Sequence, residues 1–424
     1  MQCSKLAPHF KSEKSQTRKV LNIESSLVSD RPLAMPNPTR LMTVSTPRVG
    51  VIGGGQLARM MQPAAINLGI HLRVLSATPT DSAAQVIPDT VVGSHEDWEA
   101  LKAFALECDV ITFDHEHVPT EFLEELQNLG VAVRPGPHAL RFAQDKIEMR
   151  TALTAAGIPC PKWKDITTES DLVEFGDTAG WPLIIKTARG GYDGKGVWVV
   201  KSLTEALQII GEIHAAGNRV LAEELVPFTR ELAAQVARSP HGQCVAYPVV
   251  KSTQTDGICH EVIAPCPDLD PERAAKAQAM AITIANTLDV HGMLAVELFD
   301  TGTEILVNEL AMRPHNSGHW SMDGAVTSQF ENHLRAVLDW PLGSPAPTGP
   351  QTVMVNLLGK DLGDLHGAFR HIMARDPGIK VHLYDKEVRP GRKIGHVNAT
   401  GGNIEDLLQR AWHAADYLTG VIDE

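Results

Sequence analysis

Between Arg48 and about Val133 the apolar positions recur with two alternating periods. Val49–Ile52 is a short apolar run; past three glycines, Leu57, Met60, Met61, Ala64, Ala65 and Leu68 recur every three or four residues until Gly69. The first pattern predicts a buried strand, the second an amphipathic helix that a glycine ends. Leu72–Leu75 and Val110–Phe113 predict further strands, and Ser94 with Asp97 predicts a capping box opening a helix through Trp98, Leu101 and Phe104. Such alternation implies a parallel α/β layer.

The pattern changes after a helix expected over 145–156 and the extended Ile158-Pro159-Cys160-Pro161. Leu183–Lys186 and Val197–Val200 are strands around a glycine-rich loop, and Glu231–Ala237 alternates like a half-exposed strand of an antiparallel sheet. Asp270 and Pro271 open a helix running to about Leu288, and Met293–Phe299 and Glu304–Asn308 are two strands around a turn. This reads as an α+β domain. Trp340–Gly359 is long and uncharged, but Pro341, Pro345, Pro347 and Pro350 make it a linker into a strand, not a membrane span. Beyond it Val353–Leu358 and Val381–Tyr384 mark a small terminal unit. Residues 1–46 hold eleven Ser/Thr and seven Lys/Arg with no hydrophobic period. They are expected to be a disordered extension, from a misassigned start upstream of Met42 or as a transit-like tail. The expected organisation is 1–46 extension, 47–145, 146–345 and 346–424.

Composition narrows the function. The 424 residues carry a net charge of −13, which excludes a nucleic-acid coat because phosphate binding needs concentrated positive charge. Six cysteines without a CxxC pair fit a reducing cytoplasm.

Five segments carry candidate chemistry. Gly53-Gly54-Gly55-Gln56-Leu57-Ala58 fits G-x-G-x-x-G/A, but the residue after the second strand is Ser76 rather than the acid a dinucleotide site wants. Both tight packing and an anion role stay open there. Lys186 and Lys195 bracket a loop with four glycines in seven positions, suited to closing over an anionic ligand. Glu297 stands inside an apolar strand and Glu309 follows Ile-Leu-Val-Asn; together they suit Mg²⁺. With a three-residue turn at Asp300–Gly302, Glu297 faces Ile305 and Glu309 falls roughly 13 Å along, so twist or a bulge must close the gap. Arg313 and Asn316 follow in a dense polar run, and Lys386, Arg389, Arg392 and Lys393 surround a Pro-Gly turn suited to reading a phosphate.

Taken in order, Gly53–Met60, Gly190–Gly196, Asn308–Ala311, His315–Trp320, Ser328–Glu331 and Pro390–His396 resemble the 5-(carboxyamino)imidazole ribonucleotide synthases, ATP-grasp carboxylases of purine biosynthesis. The resemblance runs from about Arg48 to the C-terminus. It implies an α/β and α+β chain with an ATP-grasp fold, an N-terminal Rossmann-like (pre-ATP-grasp) domain and a small C-terminal β-rich domain. It further implies that Lys146 and Lys186 reach the phosphates of ATP, and that Gly191, Tyr192, Asp193, Gly194, Lys195, Gly196 and Val197 cover them. Glu223, Glu224, Leu225 and Val226 line the adenine, Glu231 contacts the ribose, and Asn308 and Glu309 belong to the same site. Glu297 and Glu309 match the Mg²⁺ ligands, with Mn²⁺ as a substitute ion. Glu116, Tyr192, Lys195, Lys386 and Arg392 match the contacts to 5-aminoimidazole ribonucleotide. Arg313, His315 and Asn316 fall where bicarbonate or its activated form sits.

Some positions depart from the pattern. Lys146 and Lys195 stand where some relatives have arginine, Gln254 where a nucleotide-contacting histidine can stand, and Met312 replaces a proline. The implied reaction is attack of bicarbonate on the γ-phosphate, giving carboxyphosphate, with capture of the activated carboxyl by the amine under a glycine-loop lid. Either Lys386 or His315 takes the amine proton. A homodimer with small-molecule partners is implied, with no nucleic acid and no membrane. Competing readings are a formate-dependent ribonucleotide transformylase, a biotin-carboxylase-like ligase and, remotely, an NAD(P)-binding oxidoreductase.

Overall fold

The computed structural model describes residues 46–191, 194–360 and 365–422; the extension expected over residues 1–46 therefore falls, but for its last residue, outside the described residues. Three sheets organise the chain. The first is parallel, in the order Asp89–Val92, His71–Ser76, Arg48–Ile52, Val110–Phe113. The expected amphipathic helix spans Gln56–Leu68, and Gly69, in the left-handed conformation at φ 65°, ends it by donating to the carbonyls of Ala65 and Ile66. The expected capping box is not formed. Asp97 itself caps the helix Trp98–Ala105, accepting from the N–H groups of Glu99 and Ala100, while Ser94 accepts from Glu96 before the helix begins.

The second sheet is antiparallel, in the order Trp163–Ile166, Val220–Glu224, Leu183–Thr187, Val197–Val200. Ile185, Val220 and Ala222 bury against Leu172, Phe175, Ile210 and Ile213 of the helices Glu169–Ala179 and Leu203–Ala215.

The third sheet is the largest. Its main path runs Ile305–Ala311, Gly292–Asp300, Arg230–Arg238, Val250–Thr255, Ile258–Ala264, Gln351–Leu358, Lys393–Gly401, Lys380–Leu383. The strands after the proline-rich stretch thus extend the central sheet, through the pairing of Glu261–Ala264 with Thr352–Val355. Arg230–Arg238 is not half-exposed as its alternation suggests. Leu232, Ala234 and Val236 pack under the helix Pro271–Thr287, while Ala233 and Ala237 meet Tyr247, Met293 and Trp320 on the other face. Tertiary cover overrides the strand's own pattern.

The first and third sheets are tied together by His333, which is fully buried in the helix Gln329–Val337. Its Nδ1 accepts from the backbone N–H of Met293 at 3.1 Å, so the neutral ring carries its proton on Nε2 and donates it to Thr112 Oγ1 at 2.7 Å. Among the described residues no helix is long and apolar enough to cross a membrane.

Candidate active site

Two adjoining cavities occupy the junction of these sheets. The larger, of about 760 Å³, lies between Lys186 and Glu223 of the second sheet, with Val226 just beyond it, and Glu297, Phe299 and Glu309 of the third. The smaller, of about 600 Å³, lies between the glycine turn Gly53–Gly55 and the cations Lys386, Arg389 and Arg392. Asp114 and His115 line both.

The paired carboxylates come together through a bulge. Asp300 pairs with Ile305, so the turn runs over residues 301–304 and is one residue longer than the sequence suggests. The register then passes from Leu298 opposite Val307 to Glu297 opposite Glu309, leaving Asn308 as the extra residue. The expected gap therefore closes. Two facing carboxylates in a closed cleft repel one another: burial first, and then Glu309, hold the Glu297 carboxyl well above the usual range. Burial pushes Glu309 the same way, but Lys146, whose Nζ lies 2.8 Å from its Oε1, with Lys186 and Arg150 brings it below the usual value.

Lys186 sits 2.7 Å from Glu223 Oε2 and 3.3 Å from Asn308 Oδ1. The Glu223 side chain is engaged with Lys186 and Arg150, and Glu223, Glu224, Leu225 and Val226 together line the cavity. Phe228 and Phe299 stack at 4.8 Å and make its apolar end. Gln254, Gly191, Gly194 and Val197 also line the cavity. Glu231 stands in register with Phe299, accepts the backbone N–H of Gln254 and is on neither cavity wall. Gly194, at φ 76°, approaches Asp256 so closely that a β-carbon would lie 2.9 Å from its carbonyl oxygen. The glycine loop and the Asp256–Gly257 turn thus meet over the cleft. Gly196 packs on Thr187, and Lys195, just before it in the loop, is on neither wall; Tyr192 and Asp193 lie outside the described residues.

At the far end of the larger cavity Glu116 holds the polar run in place. Its Oε1 accepts from the Met312 N–H at 2.6 Å and its Oε2 faces Arg313 Nε at 3.3 Å. His315 caps the short turn Asn316–Gly318: its Nδ1 accepts from Ser317 N, which puts the proton of the neutral ring on Nε2, 3.6 Å from Glu297 Oε1. Burial drives the pKa of His315 down to about 3, so the ring is neutral. Neither amide atom of Asn316 finds an oxygen or nitrogen partner among the described residues, although the side chain is enclosed in the cleft. Its amide meets the Cys259 thiol, a weak partner that leaves most of its hydrogen-bonding capacity unmet.

Lys386 and Arg392 stand in the smaller cavity, so the expected ribonucleotide contacts divide between the two: these cations in one, Glu116 in the other. Lys386 is held by the side-chain oxygen of Gln56. The glycine turn resolves toward packing. β-Carbons on Gly54 and Gly55 would lie 2.0 Å from Ser76 Oγ and Asp114 Oδ2, and Asp114 Oδ1 already accepts the Ala58 N–H at the helix start at 2.8 Å. A carboxylate thus occupies the place a pyrophosphate takes in dinucleotide folds.

Two residues, Asp114 and Arg150, escaped the sequence reading, and Lys393 was expected only as part of the Pro-Gly turn. Asp114 follows the last strand of the first sheet at its switch point, where such sheets gather ligands. Lys393 lines the larger cavity, and Arg150, one helical turn after Lys146, is fully buried beneath it. The four-residue spacing from Lys146 is the signal that marks Arg150.

Comparison with known proteins agrees with this geometry. Residues 46–144 match the ribonucleotide synthetase preATP-grasp domain, 151–330 the ATP-grasp domain and 352–410 the phosphoribosylaminoimidazole carboxylase C-terminal domain. The N5-carboxyaminoimidazole ribonucleotide synthase of Mycobacterium bovis is 50% identical over 377 residues, 88% of each chain. That of Corynebacterium ammoniagenes is 45% identical over 88% of this chain and 92% of its own. Among solved structures, the Thermus thermophilus synthetase superposes with a TM-score of 0.79 at 36% identity, covering 89% of this chain and 99% of that one. The Aspergillus clavatus synthase in complex with ADP and 5-aminoimidazole ribonucleotide does so with 0.79 at 32%, covering 88% and 98%. With its sheets, its paired carboxylates and its cation-lined second cavity in that company, the chain belongs to the N5-carboxyaminoimidazole ribonucleotide synthase family of ATP-grasp enzymes.

Proposed function

We propose that the chain is a ligase that uses ATP and bicarbonate to carboxylate 5-aminoimidazole ribonucleotide on its amino group, releasing ADP and phosphate, in de novo purine biosynthesis. The observation that carries the reading is the joining of two cavities at Asp114 and His115, one with facing carboxylates and lysines, the other with a cluster of cations. ATP belongs in the larger, with Lys146 and Lys186 at its phosphates, Glu224, Leu225, Val226 and the Phe228–Phe299 stack around the adenine, and Gly191–Val197 as the lid. The ribonucleotide phosphate belongs with Lys386 and Arg392 in the smaller, its base reaching past Asp114 toward Glu116.

The Glu297–Glu309 pair and the Asn316 side-chain oxygen, which has no N–H or O–H partner among the described residues, fit Mg²⁺, a hard ion that takes oxygen ligands; when bound it would neutralise charge on the nucleotide phosphates. Bicarbonate lies against Arg313, whose guanidinium Glu116 holds in place, and against Asn316. Its oxygen attacks the γ-phosphorus, ADP leaves, and the resulting carboxyphosphate gives phosphate and a carboxyl that the amine nitrogen captures with loss of one proton. His315 presents an N–H to this region rather than a lone pair, so it orients carboxyl oxygens; Lys386 as an ammonium has no lone pair either, and the proton leaves toward the departing phosphate. Water has to stay out, because carboxyphosphate hydrolyses, and the touching of the glycine loop and the Asp256–Gly257 turn serves that end. A homodimer and a cytoplasmic setting belong to the same reading.

The test measures ADP release by the purified chain with and without 5-aminoimidazole ribonucleotide at controlled bicarbonate. Turnover that needs both substrates is expected. Formate-dependent, bicarbonate-independent turnover overturns the assignment in favour of a transformylase.

A further inference from the structure

One side chain outside the expected site touches what its phosphate end depends on. Arg150 has no exposed surface, and three of its nitrogens are engaged. Nε donates to Glu223 Oε1 at 2.6 Å, Nη1 to the carbonyl of Val307 at 3.0 Å and Nη2 to the carbonyl of Asn308 at 2.7 Å. Asn308 is the bulge residue that sets Glu309 opposite Glu297. Its side-chain oxygen faces Lys186, and Lys186 pairs with the second oxygen of Glu223. Arg150, Glu223, Lys186 and Asn308 therefore close a ring that joins the second sheet to the third across the floor of the cleft.

We propose that Arg150 is a positioning residue for the metal and phosphate end of the cleft: it fixes the bulge that aligns Glu309 with Glu297, and it neutralises Glu223 so that Lys186 keeps its charge for a nucleotide phosphate. The inference rests on the reading of Lys186, Glu297 and Glu309 given above. A guanidinium suits the task because its planar fork spans a carboxylate and two successive carbonyls, which an ammonium on a flexible stem does not. Charge gives the second reason. Glu223 with Lys186 alone is a neutral pair; with Arg150 added, the cluster keeps one positive charge facing the cavity.

The experiment uses the full chain with Arg150→Lys, Arg150→Met and the double variant Arg150→Met/Glu223→Gln, which leaves no buried unpaired carboxylate. Isothermal titration calorimetry with ADP and Mn²⁺ is run beside titration with adenosine, and KM for the ribonucleotide is taken from turnover. The folded variants are expected to lose about tenfold or more in ADP–Mn²⁺ affinity while adenosine affinity and the ribonucleotide KM shift less than about twofold. The double variant again carries the cluster's single positive charge, on Lys186, and so isolates the bulge: it is expected to melt closer to the parent than Arg150→Met while the loss of ADP–Mn²⁺ affinity persists. Parent-like ADP–Mn²⁺ affinity in Arg150→Lys or in the double variant overturns the proposal, as does an equal loss for adenosine. Glu309→Gln in the same titration separates the failures: if it too binds ADP–Mn²⁺ like the parent, the metal reading itself is wrong.

Discussion

Glu223 shows how a single carboxylate ties stability to the site. It is 2% exposed and paired on both oxygens, and although burial alone raises its pKa, Arg150 and Lys186 outweigh burial and hold it at about 2. Its folded pKa lies below the ordinary value, so it contributes stability that is fully present above about 4.5 and is lost as pH falls toward about 2. Glu223→Gln is expected to cost about 3–5 kcal/mol near neutral pH, since it strands buried cations, and to flatten the acid limb of the stability curve. Urea unfolding followed between pH 7 and pH 3 checks both; a parallel downward shift with the acid limb unchanged contradicts the assignment. Residue types at such positions were legible in the sequence, because a carboxylate in an apolar strand asks for a partner. Which partner was not: Arg150 and Glu223 are 73 positions apart, and only the fold brings them together.

At the scale of elements, periodicity located many of the strands but not Val220–Glu224, Val250–Thr255, Ile258–Ala264 or Lys393–Gly401, and it left register open. Glu297 and Glu309 were expected to need twist or a bulge, and the chain supplies a bulge at Asn308, but the loop length that fixes the pairing is not written in the hydrophobic pattern. The half-exposed appearance of Arg230–Arg238 failed for a related reason, since the helix that covers it comes from residues 271–287. The glycine loop is the element whose motion is open to test. Gly194 combines a positive φ with a close approach to Asp256, so Gly194→Ala strains the loop and lifts it from the Asp256–Gly257 turn. With the lid propped open, water reaches the activated carboxyl. ADP formed per ribonucleotide carboxylated is expected to rise about twofold or more, with the fold intact. Coupled measurement of ADP and ribonucleotide consumption checks this; a ratio that stays at the parent value while kcat falls shows that the loop does not exclude water.

For the whole molecule, the net charge of −13 conceals its distribution. Lys386, Arg389 and Arg392 from the C-terminal region face the glycine turn of the N-terminal sheet across the smaller cavity, among Asp81, Asp114, Asp385 and Glu387, the last paired with Arg389. The terminal strands reach that place because they continue the central sheet, a pairing between residues about ninety apart that no local pattern announces. Two cavities that share only Asp114 and His115 among the described residues should bind their ligands with separable energetics. Arg392→Ala removes one cation from the smaller cavity and leaves every wall of the larger in place. It is therefore expected to raise the KM for the ribonucleotide about tenfold or more, a phosphate contact in a partly enclosed site, while the KM for ATP moves less than about twofold. Salt sharpens the comparison, because screening weakens a long-range attraction to a cation cluster. The parent KM for the ribonucleotide should climb with ionic strength more steeply than that of Arg392→Ala. Steady-state kinetics at two salt concentrations measures both slopes. Equal increases in the two KM values, or parallel salt dependences, place the phosphate elsewhere than against Arg392.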